Sequence, residues 1–157
     1  MDARPILAEV ARLLKELDLD AVLIGNAAAA IHGAPVTTVD LDFMFRKTPG
    51  NMAKLKVLAE RLHAVVMRPY YPASDLFRVV RDEDLLQVDF MGTIHGVRSF
   101  NSLRSRALRV DFDGMPLLVA GLDDIIRSKK AAGRPRDRAV LETLEATRRE
   151  KEKQQEG

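Results

Sequence analysis

The chain has 157 residues, 25 basic and 23 acidic, for a net charge of +2, with 46% hydrophobic residues and no cysteine. This length and composition suit one packed domain, expected over residues 1–150, and exclude disulfides and thiolate metal sites. The near-neutral balance makes no case for nucleic-acid binding by itself, and no apolar run reaches transmembrane length.

The N-terminal segment MDARPILAEV is too polar for a secretion signal. A soluble cytoplasmic protein with no membrane partner is therefore expected. Ile6, Leu7, Val10, Leu13, Leu14 and Leu17 recur at helical spacing, with Pro5 suited to the first turn. Ala21 to Ile24 is a short apolar run closed by Gly25 and reads as a buried strand. Ala27 to Ile31 is helix-prone, with Gly33 as a cap and Pro35 as a stop. Val39 to Phe45 alternates as a strand, with Asp40 and Asp42 on one face.

Met52 to Leu62 predicts an amphipathic helix, Ala64 to Met67 a strand, and Pro69 to Asp75 a loop. Phe77 to Val80 and Leu85 to Phe90 predict a hairpin around the turn Arg81 to Asp84. Ser99 to Ala107 reads as a short helix or an irregular crossover. Leu108 to Phe112 and Met115 to Val119 flank Asp113-Gly114, a strong hairpin signal. Leu122 to Ala132 predicts a helix interrupted by Gly133 and Pro135. Asp137 is suited to cap a last helix from about Arg138. Residues 151–157, KEKQQEG, read as a disordered tail. The order implies a mixed α/β or α+β fold with helices mainly on one side of the sheet and a helical C-terminus.

The stretch Leu23 to Phe45 carries the chemistry. A strand ends at Gly25-Asn26 and a helix follows at once, so unpaired backbone N–H groups there suit a phosphate. Carboxylates two residues apart on a strand point the same way, with Cα atoms roughly 6.5–7 Å apart. Two such charges repel unless a cation lies between them. Mg²⁺ takes oxygen ligands and bridges carboxylates to phosphates. Asp89 adds a third acid if its strand pairs with that of Asp42. Asp-x-Asp alone is commonly just a solvated strand face. Here Val39, Leu41, Phe43 and Phe45 make the opposite face apolar.

These residues resemble the nucleotidyltransferase superfamily of DNA polymerase β. The pattern is Ile24-Gly25-Asn26, a spacer, Asp40-Leu41-Asp42, and Val88-Asp89 on a later strand. Lys129, Gly133, Arg134 and Asp137 are similarly placed to those of small prokaryotic members related to AbiEii-type toxins. Asn26 stands where relatives carry Gly or Ser, and Val36 where many carry Arg; Thr38 is kept.

The resemblance implies transfer of a nucleoside monophosphate from a triphosphate to a hydroxyl of RNA, protein or a small molecule. It implies two Mg²⁺ ions, with Mn²⁺ as a substitute, held by Asp40, Asp42 and Asp89 as catalytic residues. It implies nucleotide contacts from Gly25, Asn26, Thr38, Lys129 and Arg134. An antitoxin or a second copy of the chain is a compatible partner. The alternative is a catalytically weak or inactive member serving as a nucleotide-binding or interaction module. His32 and His95 lack ligand spacing and read as structural or exposed. Lys129 fits the negative end of a helix as well as it fits a triphosphate.

Overall fold

A computed structural model describes residues 4–36, 40–68 and 75–156. The elements run α1 (Arg4–Glu16), β1 (Ala21–Ile24), α2 (Gly25–Ile31), β2 (Leu41–Phe45), α3 (Pro49–Arg61), β3 (Val65–Met67), β4 (Leu76–Arg81) and β5 (Leu86–Met91). They continue with α4 (Phe100–Arg106), β6 (Leu108–Phe112), β7 (Met115–Val119), α5 (Leu122–Ala132) and α6 (Pro135–Glu156). The expected mixed α/β class is observed. One seven-stranded mixed sheet has the order β3-β4-β5-β2-β1-β7-β6.

Burial explains the order. All four residues of β1 are buried, as befits an unbroken apolar run in the sheet interior. It pairs antiparallel with β2 and parallel with β7. β2 in turn runs parallel to β5. Three aromatic rings close the core here. Phe43 stacks on Phe90 with centroids 5.2 Å apart, and Phe45 meets Phe90 edge-on at 6.1 Å.

Local signals place the helices. The Thr48 hydroxyl accepts from the backbone N–H of Asn51, and Pro49 begins α3. Ser99 caps α4 in the same way through Ser102, so the 99–107 segment is a helix rather than an irregular crossover. Gly133 ends α5 at φ +62°, the left-handed conformation glycine adopts at no steric cost.

Three expectations are corrected. α6 begins at Pro135, so Asp137 lies inside its first turn. Its carboxylate reaches back to accept the backbone N–H of Arg134 at 3.2 Å, the capping-box alternative to an N-cap. The disordered tail is replaced by helix through Glu156. Packing of α6 on α5 and a contact from Lys151 extend the helix beyond what its charged sequence suggests. The turn of the β4–β5 hairpin is Asp82–Asp84 followed by Leu85 in the left-handed conformation. The 69–74 part of the expected loop lies outside the described residues.

The contact from Lys151 is to His32. The His32 Nε2–H donates to the Ala120 carbonyl at 2.8 Å, and Nδ1 accepts from Lys151 Nζ at 2.6 Å. Burial lowers its pKa, opposed by the Ala120 bond and reinforced by the Lys151 charge. An imidazole disfavoured as a cation stabilises the fold fully above its ordinary pKa of 6.5. That contribution declines as pH falls through this value, because the unfolded chain then binds the proton more tightly. His32→Gln is therefore expected to lose less melting temperature than wild type between about pH 7 and about pH 5. Equal losses in paired thermal melts would contradict the assignment.

Candidate active site

β2 and β5 bring two acids side by side. Asp42 is the register partner of Asp89, and Ile24 of β1 lies opposite Asp42 on the other side. Asp40, exposed, immediately precedes β2. All three acids line one cleft of about 740 Å³, together with Gly25, Asn26, Arg78, Lys129, Arg134 and Arg136. Thr38 lies outside the described residues.

Gly25 makes the close approach. It has φ +70°, and a Cβ added there would sit 3.0 Å from Asp42 Oδ2. Gly25→Ala therefore combines backbone strain of roughly 1–2 kcal/mol with pressure on the carboxylate. Gly114→Ala is the control, because Gly114 has φ +85° with nothing within 4 Å. Both are expected to lower the melting temperature by a few degrees. Only the first should also weaken ligand binding in the cleft. Equal binding by both variants would contradict the role of Gly25. Next along the chain, Asn26 Oδ1 is buried with no hydrogen-bond partner among the described residues, an arrangement that costs free energy unless something donates to it.

The electrostatics divide the cleft. Burial raises the Asp42 pKa to about 6, helped by the charges of Asp89 and Asp40 and opposed by Lys129 and Arg136. Lys129 is mostly buried, and burial holds its pKa below the usual lysine range despite Asp137 at 3.7 Å. Against the effect of burial, Arg134 holds Asp137 below the usual carboxylate range, with its Nε at 2.6 Å. Asp137 thus anchors the two cationic residues that were candidates for the phosphates.

Asp89 is engaged differently. Arg78 of β4 donates Nε to Oδ1 at 2.9 Å and Nη2 to Oδ2 at 3.2 Å, and Gln87 adds a 3.4 Å contact to Oδ2. Among the described residues, no group of three or more His, Asp and Glu side chains is arranged to hold a metal ion. The donor chemistry nevertheless suits a hard cation at Asp42 and Asp40. These are oxygen donors lining one cleft, and burial first, then the charges of Asp89 and Asp40, makes ionised Asp42 costly in a way that a cation would relieve.

Arg78 and Arg136 were not singled out by sequence reasoning. Arg136 sits among the crowded basic residues Arg127, Lys129, Lys130, Arg134 and Arg138. Arg78 gains meaning only from its register against Asp89.

No family model matches the chain, and no curated protein does. Solved structures do. A Thermotoga maritima protein provisionally named a nucleotidyltransferase superposes with TM-score 0.65 at 18% identity, covering 88% of this chain and 89% of that one. The lincosamide adenylyltransferase LnuA, solved with lincomycin, gives 0.64 at 11% identity, covering 90% and 95%. ANT(2'')-Ia in complex with adenylyl-2''-tobramycin gives 0.60 at 15% identity, covering 91% and 86%. Likenesses at this level of identity establish the architecture: the chain has the nucleotidyltransferase fold.

Proposed function

We propose that the chain is a metal-dependent nucleotidyltransferase that moves the nucleoside monophosphate of a triphosphate to an acceptor hydroxyl. The observation that carries this reading is the single cleft lined by Asp40, Asp42 and Asp89 together with Lys129, Arg134 and Arg136, where burial, Asp89 and Asp40 raise the Asp42 pKa to about 6. Acids and cations lining the same cleft suit a divalent cation and a polyphosphate together.

Asp40 and Asp42 would hold Mg²⁺, which as a Lewis acid stabilises charge on a phosphoryl oxygen. The remaining assignments concern the chain's own groups. Gly25 lets the backbone approach Asp42 and the phosphates. The Asn26 amide lies at the same bend, its buried Oδ1 suited to a donor from the substrate. Lys129, a flexible point charge, neutralises the polyphosphate. Arg134 adds a half-exposed cation beside it. Thr38 keeps its proposed nucleotide role from the sequence pattern.

Two of the structural neighbours bind or modify antibiotics, which makes a small hydroxylated molecule one acceptor class to test. The AbiEii-like placement of Lys129, Gly133, Arg134 and Asp137 makes RNA the other and supports a toxin role with a partner antitoxin. The test is incubation with α-labelled and γ-labelled triphosphates in the presence of an aminoglycoside, a lincosamide or RNA. The α label is expected on the acceptor, with release of pyrophosphate. Transfer of the γ label alone would replace nucleotidyl transfer with kinase chemistry.

A further inference from the structure

The geometry points to a site that takes one divalent cation, at Asp42 and Asp40, while the Arg78 guanidinium occupies the place of a second beside Asp89. This inference rests on the nucleotidyltransferase reading above.

The pair is set by the backbone. Arg78 and Asp89 are direct partners in the antiparallel β4–β5 ladder, so their side chains rise together from one face of the sheet. Asp89 is also the register partner of Asp42 in the parallel β2–β5 ladder. Arg78, Asp89 and Asp42 therefore form a row across three adjacent strands.

Both Asp89 oxygens accept from Arg78, at 2.9 and 3.2 Å. The Asp89 side chain is only 9% exposed. Bidentate, charge-assisted pairs of this kind are the strong ones. A guanidinium also keeps its proton at every working pH, so no change of pH clears the position.

In two-metal sites the ions lie roughly 3.5–4 Å apart and share acidic ligands. A second ion here would have to take Asp89 from Arg78. It would also enter beside a fixed positive charge and a first dication. Asp42 has no such hydrogen-bonded competitor among the described residues: Lys129, Arg136 and Arg78 act on it through their fields. The chain thus supplies covalently part of the charge that a second ion would otherwise bring.

Mn²⁺ bound together with an α,β-methylene nucleoside triphosphate tests this by electron paramagnetic resonance. Wild type is expected to show one protein-bound Mn²⁺ per chain with an uncoupled spectrum. Arg78→Met keeps the apolar stem and removes the fork; Arg78→Lys keeps the charge and removes the fork. Arg78→Met is expected to bind two ions and show an exchange-coupled spectrum. Arg78→Lys should shift part-way to it.

A coupled two-ion spectrum in wild type would overturn the inference and leave the nucleotidyltransferase reading standing. That measurement decides the matter even where the variants do not fold. One ion in folded Arg78→Met would equally overturn the role of Arg78. No protein-bound Mn²⁺ in any form would overturn both.

Discussion

Replacing Asp42 with asparagine is expected to abolish nucleotide transfer and yet raise the melting temperature of the metal-free protein. The two effects share one cause. Partial burial pushes the Asp42 pKa up from its ordinary 3.8 to about 6, helped by the charges of Asp89 and Asp40. A carboxyl whose folded pKa is raised binds its proton more tightly in the folded chain. Stability is then lost as pH rises from about 4 through about 6. The shift of roughly 2 pH units corresponds to at most about 3 kcal/mol.

The asparagine side chain would keep the shape and remove the charge. In chelator at pH 8 the variant should melt several degrees above wild type, and near pH 4 the difference should vanish. An equal or lower melting temperature at pH 8 would show that Asp42 carries no electrostatic strain. Transfer should meanwhile fall by at least about 10³-fold. A bound Lewis acid supplies several kcal/mol, and each 1.36 kcal/mol is a factor of ten.

The largest stability effect is expected at Phe90. It is fully buried, stacks on Phe43 and meets Phe45 edge-on. It also follows Asp89 directly, so it anchors the strand that presents the acid. Phe90→Ala removes a ring from the centre of the sheet and leaves a cavity the neighbours fill only in part. Such truncations cost about 3–5 kcal/mol. At roughly 2–4 °C per kcal/mol for a chain of this size, the melting temperature should drop by about 10 °C. A drop of only a degree or two would place the centre of the core elsewhere.

Much of the fold is legible because its signals are local. The β6–β7 hairpin has the expected bounds because Asp113 and Gly114 both adopt positive φ, at +50° and +85°, the requirement of a tight two-residue turn. Ala21–Ile24 and Leu122–Ala132 likewise match their apolar patterns. The pairing of Asp42 with Asp89 depends on a parallel register between strands far apart in sequence. The acid pattern suggested their convergence, but only the folded sheet gives the partner residues.

Arg78 was hidden for a related reason. A turn read as Arg81 to Asp84 sets Val80 opposite Leu85 and Arg78 opposite Gln87. The actual turn includes Leu85 at φ +58°, which moves the ladder by two residues and sets Arg78 opposite Asp89. A leucine in the left-handed conformation gives no advance signal, since glycine or asparagine is the residue that announces it. Asp137 was displaced similarly. Pro135 starts α6 earlier than the capping pattern suggests, which turns a cap into the anchor of Arg134 and Lys129.

Calorimetric titration with an α,β-methylene nucleoside triphosphate, with Mg²⁺ and then with chelator, probes the cleft most directly. Wild type should bind only when the cation is supplied, and Asp42→Asn should lose at least tenfold in affinity, about 1.4 kcal/mol. Failure of wild type to bind in millimolar Mg²⁺, or binding that ignores both the cation and the Asp42 substitution, would mean that these acids do not form a polyphosphate site.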